Sequence, residues 1–384
     1  MTPHRPRVAL LIETSNSYAR GLLRGITRYV REHRPWATYV PETVRGETPP
    51  AWLKRWRGDG IIARIENPST AKIVQQAGVP TVSVSAGGFA PQFPVVETDN
   101  QAIAVQAFAH LQERGLRHFA FCGDARFAWS RLRSESFVRL AAEAGHTAQL
   151  YRPRSRAPEP PWEQQQADLA RWVAQLPKPI GIMACYDIRG RQLLDVCRQV
   201  GATVPDEVAV IGVDDDRLLC DLAQPPLSSV IPDTNRSGYV AAELLDQMLM
   251  GRRVEPGERL IAPLGVATRQ STDVLAIDDP DVVRAQRFIR DHACEGIKVE
   301  AVLEHVAISR RALEYRFAEL LGCTPHERIV QVQLQRVRQL LSETDLSLVE
   351  VAERAGFKHV EYMSVVFKRR TGVAPREYRL RSRG

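Results

Sequence analysis

The sequence has no long apolar run. An apolar segment begins at Val8, but Glu13 ends it after five residues. A membrane-spanning helix needs about 20 apolar residues, and the apolar core of a secretory signal peptide needs about 7–15 residues. We therefore predict that this segment is a strand, and we expect a cytoplasmic protein that makes no membrane contact.

The sequence also lacks the motifs of the common enzyme classes. It contains no GxSxG, no HExxH, no P-loop and no GxGxxG after a predicted strand. These absences favour a protein that is not an enzyme and has neither catalytic residues nor a cofactor. Because a fold does not decide function, a sugar-acting enzyme stays as an alternative, which a turnover assay on candidate sugars would test.

Cysteine is scarce and shows no paired spacing. The six cysteines lie at positions 122, 185, 197, 220, 294 and 323, without a CxxC pair. This arrangement predicts no disulfide framework and no zinc site, and we expect buried reduced thiols, as is usual in the cytoplasm. The acidic run 214–216 raises the question of a metal site, but no His, Cys or further acid recurs at ligand spacing, so we predict no metal.

A doubled pattern occupies the C-terminal part of the chain, from Val299 to Tyr378. A shift of fifty residues aligns the apolar and turn residues of one copy with those of the other. The aligned pairs are Val299 with Val349, Val302 with Ala352, Leu313 with Met363, Phe317 with Phe367, Gly322 with Gly372, Pro325 with Pro375 and Glu327 with Glu377. Two copies predict two similar helical units that bury these apolar positions.

Each copy predicts a supporting helix, a tight turn and a second helix, which together form a helix-turn-helix. The predicted supporting and second helices are 299–306 and 310–321 in the first copy, and 348–355 and 359–370 in the second. Ser309 is the expected N-cap of the helix 310–321 in the first copy. Gly356 permits the turn in the second copy. One long helix from Thr324 to Ser342 is predicted to join the two copies.

The second helices carry polar side chains opposite their apolar positions, as a DNA-reading surface requires. The candidate DNA-binding residues are Arg310, Arg311, Glu314 and Tyr315 in the first copy, and Lys358, His359, Glu361, Tyr362, Lys368 and Arg369 in the second. Arginine suits guanine and glutamate suits cytosine, whereas we expect Lys368 and Arg369 to hold phosphates. On one stiff connector the two units would reach major-groove segments about 34 Å apart.

The distribution of charge agrees with double-stranded DNA as a partner. From Asp281 to the end, 19 Lys and Arg face 14 Asp and Glu, whereas the preceding residues carry 33 against 31. Release of counterions from phosphates would use this C-terminal excess. The alternative is that the repeats only pack helices, as in a solenoid with a solvated charged face, but two copies are fewer than a solenoid usually needs.

The sequence Phe-x4-Gly-x2-Pro that closes both copies resembles the DNA-binding domain of the AraC family of transcription regulators. The resemblance covers both copies, with a departure at Val366, where many members carry a basic residue. It implies a sequence-specific regulator that binds DNA as a homodimer, contacts RNA polymerase and activates transcription.

The N-terminal part alternates short apolar runs with amphipathic stretches from Val8 to about Leu264. Repeated alternation of this kind predicts a parallel α/β sheet. The number of alternations is about twice that of a minimal doubly wound sheet, so we predict two α/β lobes. The alternation stops near Ser271, which predicts an α/β domain over 1–270, a linker over 271–281 and an all-α domain over 282–384.

Several residues and segments of this region form a recognisable pattern: Tyr18, 21–25, 96–100, Leu111 with Gly115, Asp187, 204–214 and 227–230. Together with the order of elements, this pattern resembles the ligand-binding half of the LacI/GalR repressors. It implies a two-lobed domain like the type I periplasmic binding proteins, here followed by an all-α tandem helix-turn-helix domain. Together with 292–294 and 296–299, this fusion resembles regulators of the AraC family that respond to xylose.

The resemblance implies an effector that is D-xylose or a related sugar, and it leaves open another pentose, a hexose or a purine. Ligands of α/β lobes bind beyond the carboxyl ends of strands. The candidate ligand-binding residues are Glu13, Tyr18, Arg64, Trp129, Arg133, Asp187, Arg189 and Asp214. Carboxylates accept hydroxyl hydrogens, guanidinium groups donate in a fork, and an aromatic face covers C–H edges.

By resemblance, Arg133, Asp187 and Asp214 are the strongest of these candidates. Each interpretation has a structural alternative. Asp187 can cap its own helix, 213–216 can be a solvated turn, and Trp129 can belong to the core. Glu13 and Arg64 can pair with each other.

Overall fold

The computed structural model describes residues 5–42, 51–85, 87–153, 161–274 and 279–383. The chain divides into two compact units, Met1–Ala276 and Ile277–Gly384. Ser271 is buried and its Oγ donates to the Val210 carbonyl at 2.6 Å, so the first unit extends into the segment that we predicted to be a linker. In the second unit, Asp279 caps the first helix.

The strands of the first unit form two six-stranded sheets. In chain order they are β1 (Arg7–Leu11), β2 (Ala37–Tyr39), β3 (Gly60–Ala63), β4 (Thr81–Ser83), β5 (Pro94–Thr98), β6 (His118–Cys122), β7 (Ala148–Leu150), β8 (Ile180–Ala184), β9 (Val208–Val213), β10 (Ser228–Ile231), β11 (Gly257–Ile261) and β12 (Gly265–Ala267). One sheet has the order β11-β5-β4-β3-β1-β2, and the other has the order β12-β10-β9-β8-β6-β7. The described pairings are parallel except for that of β10 with β12.

Eight α-helices of the described residues accompany these sheets. They are α1 (Ser17–Glu32), α2 (Pro68–Gln76), α3 (Asn100–Gln112), α4 (Ala128–Glu143), α5 (Trp162–Gln175), α6 (Asp187–Gln199), α7 (Arg217–Leu222) and α8 (Thr234–Leu249). Short 3₁₀ helices cover Ala51–Arg55 and Gln270–Thr272. Because both faces of each sheet are covered, the central strands β8 and β9 are apolar and all their residues are buried. The edge strands β2 and β11 carry exposed residues.

Each sheet belongs to one lobe, and the chain crosses between the lobes. Helix α3 follows β5 of the first lobe but packs in the second, where the ring of Phe108 lies 4.8 Å from that of Phe119. Helix α8 follows β10 of the second lobe but packs on α1 of the first, with the Tyr29 hydroxyl donating to Asp246 at 3.2 Å. A Cβ on Gly25 of α1 would lie 2.0 Å from the Asn235 carbonyl oxygen, so glycine is needed there.

The second unit is built from helices with two separate apolar cores. The helices are α9 (Pro280–His292), α10 (Val299–Val306), α11 (Arg310–Leu321), α12 (Pro325–Glu343), α13 (Leu348–Arg354), α14 (Val360–Thr371) and α15 (Pro375–Arg383), and a 3₁₀ helix covers Ala293–Glu295. Phe317 is fully buried in one core and Phe367 in the other. Thr324 and Glu327 form a capping box at the start of α12, which is the predicted connecting helix.

The repeat is confirmed with one exception among its aligned apolar positions. Val299 is buried, but the aligned Val349 is 62% exposed, because α13 begins its apolar face at other residues. Leu320 of α11 is also exposed. Of the six free cysteines, four are buried and Cys294 and Cys323 are half-buried. Helices in the described parts of the chain are too short or too polar to cross a bilayer.

Candidate functional site

A small cavity lies between the two lobes of the first unit, where strands of both sheets end. The residues that line it are Tyr18, Arg64 and Glu97 of the first lobe, and Trp129, Arg133 and Asp214 of the second. Five of these six were predicted from the sequence. The lining combines two guanidinium groups, two carboxyl groups and two aromatic rings, so the cavity offers both donors and acceptors.

The first-lobe wall is a connected polar network. The Tyr18 hydroxyl donates to Glu97 Oε1 at 3.3 Å and lies 3.4 Å from Thr98 Oγ1. The guanidinium carbon of Arg64 lies 5.0 Å from the centre of the Tyr18 ring. Burial and the neighbouring Glu97 raise the pKa of Tyr18 above its usual range, so this hydroxyl stays protonated. It can therefore donate at any physiological pH.

Two carboxylates outside the cavity hold Arg64 in place. One of its terminal nitrogens donates to Glu13, and the other donates to Glu66 at 2.8 Å. Burial opposes the charge on Arg64, but Glu66 and Glu13 outweigh it and raise the pKa of the guanidinium. Glu13 is in turn fixed by Asn16 Nδ2 at 2.9 Å. Glu13 thus pairs with Arg64, which was the alternative to ligand binding for these two residues, and it does not line the cavity.

The second-lobe wall is formed by Trp129 and Arg133, one turn apart on α4. The guanidinium carbon of Arg133 lies 5.0 Å from the centre of the Trp129 ring, within the range of a cation–π contact. Arg133 also donates to Asn100 Oδ1 at 2.9 Å and to the Cys185 carbonyl at 2.6 Å. Phe127 stacks on Trp129 at 5.2 Å between ring centres. Both cavity side chains are therefore held before any ligand enters.

Asp214 occupies a strained loop after β9. Its φ is 109° and that of Asp215 is 45°, both in a region that side chains rarely adopt. Asp187 supports this loop from below, because its carboxylate accepts from the Asp216 amide at 2.8 Å and from Ser229 Oγ at 2.7 Å. Strain that is maintained by surrounding contacts is typical of functional positions.

Asp187 and Arg189 do not line the cavity in this structure. Asp187 is fully buried, and burial together with the nearby Asp214 raises its pKa well above the usual range. Its side chain does not cap its own helix, whose N-cap is Tyr186. Arg189 donates to Gln192 at 2.9 Å and lies 3.9 Å from Asp124. Asp187 thus positions the loop that carries Asp214.

Glu97 lines the cavity but was not a candidate in the sequence analysis. It is the fourth residue of β5 and is buried. Burial raises its pKa to about 7, although Arg64 and Arg133 act in the opposite direction. The signal that could have found it is its position at the end of a strand, immediately before the chain crosses to the second lobe.

The described residues contain no group of three or more His, Cys, Asp or Glu side chains arranged to hold a metal ion. The arrangement that is present suits a small polyhydroxylated molecule. Carboxyl groups accept from its hydroxyls, guanidinium groups donate to its oxygens, and aromatic rings cover its C–H faces.

The first helix-turn-helix places all its predicted DNA-binding residues on the exposed side of α11. Tyr315 is 66% exposed. Arg310 pairs with Glu314 at 2.9 Å and with Glu300 at 3.0 Å, so its guanidinium is already engaged. Among the described residues, the side chain of Arg311 makes no hydrogen bond or ion pair. Arg311 is therefore the more available of the two adjacent arginines.

In the second helix-turn-helix, α14 presents one exposed stripe. Glu361, Tyr362, Lys368 and Arg369 lie on it, and Lys358 and His359 precede it in the turn. The stripe also contains Val365, which is 66% exposed and which the sequence analysis did not single out. Its spacing of three residues after Tyr362 and three before Lys368 places it at the centre of this surface.

Relatives with curated descriptions match the whole chain. The Xylose operon regulatory protein of Haemophilus influenzae is 35% identical over 388 residues, which cover 99% of this chain and 100% of that protein. The protein of the same description from Escherichia coli strain K12 is 35% identical, with 99% of this chain and 98% of the relative covered. The chain belongs to the xylose operon regulatory protein family. Its relatives regulate transcription, which confirms the prediction of a regulator rather than an enzyme.

Domain families and a solved structure agree with this membership. Residues 7–101 match the XylR N-terminal domain, 108–272 the periplasmic binding protein-like domain and 302–381 the helix-turn-helix domain. The solved structure described as the xylose-binding transcription activator xylR is 34% identical, has a TM-score of 0.80 and covers 100% of both chains. The predicted fold, a two-lobed α/β domain followed by a tandem helix-turn-helix domain, is confirmed.

Proposed function

We propose that this transcription regulator binds D-xylose in the cavity between its lobes and activates sugar-catabolic genes. The observation that carries the proposal is the cavity between the lobes, whose six lining side chains are already held in place. It occurs in a chain that is related over its full length to xylose regulators. The proposal assigns sugar binding to the first unit, Met1–Ala276, and DNA binding to the second, Ile277–Gly384.

In the proposed complex, each wall of the cavity has its own part. Arg64 and Arg133 donate to ring or hydroxyl oxygens, and Asp214 accepts from a pair of hydroxyls. Trp129 covers an apolar face of the sugar. Glu97 has a pKa of about 7 and can accept or donate according to its protonation state. Glu13 acts by holding Arg64, and Asp187 acts by holding the loop that carries Asp214. Among the described residues, Arg189 pairs with Gln192 and Asp124 and has no contact with the cavity lining, so it has no part in this proposal.

The side chains leave little free space between the lobes, so the sugar enters when the lobes separate and is enclosed when they close. Closure changes the arrangement of two subunits in a homodimer and brings their DNA-binding domains onto repeated half-sites. A sugar can drive this change only through its different affinities for the two states. The protein works in the cytoplasm and contacts RNA polymerase but no membrane.

On DNA, α11 and α14 act as recognition helices in successive major-groove segments. Arg310, Arg311, Glu314 and Tyr315 face the bases from the first helix. Lys358, His359, Glu361 and Tyr362 do so from the second, and Lys368 and Arg369 hold phosphates. Glu314 is positioned for cytosine and Arg311 for guanine.

Parallel calorimetric titrations test the effector. The purified protein is titrated with D-xylose, L-arabinose, D-ribose and D-glucose under the same conditions. Saturable heat with D-xylose, and much weaker or no heat with the other three, supports the proposal. Binding of another of these sugars in preference to D-xylose would replace the effector but leave the cavity assignment standing. If none of the four sugars gives heat of binding, the effector assignment is overturned, and other small molecules should be titrated.

A further inference from the structure

The two helix-turn-helix units do not share an apolar core. Phe317 belongs to one cluster of buried side chains and Phe367 to another. Helix α12 contributes Ile329 to the first cluster, and Val330 with Leu334 to the second. No single apolar core of the described residues therefore joins the two helix-turn-helix units, and their mutual rotation depends on α12 and on the contacts where they meet.

A buried polar junction lies where the two units meet. Gln333 of α12 is only 6% exposed. Its amide nitrogen donates to the Ala293 carbonyl at 2.9 Å and to the Gly356 carbonyl at 3.1 Å. Ala293 lies just before α10 of the first helix-turn-helix, and Gly356 is the turn residue of the second helix-turn-helix. One side chain thus joins the backbones of both helix-turn-helix units.

The backbones approach each other closely around this amide. A Cβ on Gly356 would lie 2.7 Å from the Ala293 carbonyl oxygen and 2.9 Å from the Cys294 carbonyl carbon. Gly356 has a φ of +80°, and Gly296, on the opposite side, has a φ of +77°. Glycine satisfies both requirements, since it has no Cβ and adopts positive φ without strain. The junction is therefore shaped for direct backbone contact around Gln333.

We propose that Gln333 is a positioning residue that sets the rotation between the two recognition helices of one chain, and through it the spacing of the two DNA segments that these helices accept. In the test below, a half-site is the DNA segment that one of these helices contacts. The inference rests on the proposed DNA-binding function. Hydrogen bonds are directional, and two of them from one amide to two separate backbones fix an orientation that apolar contact would leave loose. Gln333 faces no DNA and acts only through α11 and α14.

The test uses the full chain and Gln333→Glu. A carboxyl group has the shape of the amide, but it has one O–H donor when protonated and none when ionised. At most one of the two hydrogen bonds can therefore remain. The matched control is Gln335→Glu, since Gln335 is an exposed residue of the same helix. Selection of bound duplexes from a random-sequence DNA library by the unaltered protein first supplies the two half-sites. If no sequence is enriched, the proposed function fails rather than this inference.

Affinities are then measured by fluorescence anisotropy, at one salt concentration, on duplexes with base pairs inserted between the half-sites. Each added base pair rotates the second half-site by about 35°. We expect the unaltered protein and Gln335→Glu to share one sharp spacing optimum. Gln333→Glu is expected to lose about tenfold in affinity at that optimum and to show a flatter or shifted spacing profile.

Binding to duplexes with a single half-site checks that each helix-turn-helix still folds. If Gln333→Glu is unfolded by circular dichroism, Gln333→Met is used, because it is of similar length and has no donor and no charge. A variant that binds single half-sites normally and has a changed spacing profile supports the inference. A folded variant with the original spacing profile, whatever its overall affinity, overturns it.

Discussion

Arg20 of the first lobe and Asp216 of the second form an ion pair with 3.7 Å between Nη2 and Oδ2. Arg20 lies on α1, whereas Asp216 follows the cavity residue Asp214 by two positions. The Asp216 amide is held by Asp187. The pair therefore connects the ligand-lining loop of one lobe to a helix of the other, and it can form only when the lobes are close together.

Removing this pair should weaken sugar binding modestly. We expect Arg20→Gln to lower the affinity for D-xylose about two- to fivefold, because a partly exposed ion pair contributes about 0.2–1 kcal/mol. Calorimetric titration measures the change. Arg24→Gln is the matched control, since Arg24 is an exposed arginine one turn further along α1. Equal affinities for the protein and both variants would show that the pair does not stabilise the closed state.

Asp214→Asn should remove most of the sugar response. Asparagine is chosen because Asp214 has a φ of 109°, which asparagine tolerates better than most residues. Loss of a charge-assisted hydrogen bond is expected to lower sugar affinity about tenfold or more, while operator binding without sugar stays unchanged. Calorimetry and anisotropy measure the two properties separately. A variant that responds at the original sugar concentration would remove Asp214 from the site.

The stability of the sugar-free protein should depend on pH through Glu97. Its pKa is raised from 4.5 to about 7, so the folded state holds the proton more tightly than the unfolded chain. The stability contributed by Glu97 is fully present below about pH 4.5 and is lost as the pH rises through 7. Glu97→Gln is neutral throughout and escapes this loss.

Urea unfolding followed by tryptophan fluorescence measures this effect at about pH 5 and about pH 8. Relative to the unaltered protein, Glu97→Gln should gain about 1–3 kcal/mol on going from the lower to the higher pH. Glu258→Gln, at an exposed position of β11 in the same sheet, should show no such gain. Parallel behaviour of the two variants would mean that Glu97 ionises freely in the folded protein.

Sequence reasoning predicted the fold well because the signals were periodic. Strand–helix alternation located the two lobes, and the fifty-residue repeat located α10 to α14 to within about two residues. Val349 shows the limit of this reasoning. Alignment with the buried Val299 predicted burial, but it cannot detect that the start of α13 is rotated away from its core.

The cavity was predicted less completely, because a side chain's direction depends on its neighbours. Arg64 and Asp214 follow strand ends and do line the cavity. Asp187 also lies near a strand end, but the Asp216 amide and Ser229 draw its carboxylate beneath the loop. Glu97 was missed because it is the last residue but one of β5, whereas candidates were sought among residues that follow the strand ends. Gln333 gave no signal, since a single polar residue on a long helix is usually exposed.

The contrast between two adjacent arginines predicts unequal effects on DNA binding. Arg311 is exposed, whereas Arg310 pairs with Glu300 and Glu314. We expect Arg311→Ala to lower affinity for the selected operator by about 1–3 kcal/mol while binding to random DNA changes little. Arg338→Ala, at an exposed position of α12, is the control for net charge. A uniform loss on all DNA would make Arg311 a phosphate contact.

Val365 should recognise a thymine methyl group. It is 66% exposed, between Tyr362 and Lys368 on the stripe of α14, and an exposed aliphatic side chain on a recognition helix suits that methyl. Replacing each operator thymine in turn by uracil deletes one methyl group. We expect one such replacement to weaken the unaltered protein about fivefold, and to have no further effect on Val365→Ala.

This pairing of a protein change with a DNA change isolates the contact, because each deletion alone removes the same interaction. Val349→Ala is the matched control, since Val349 is also an exposed valine of the second helix-turn-helix but lies on the supporting helix. It should remain as sensitive to every uracil as the unaltered protein. If Val365→Ala keeps that sensitivity too, the exposed valine lies outside the groove, and α14 contacts the bases through Glu361 and Tyr362 alone.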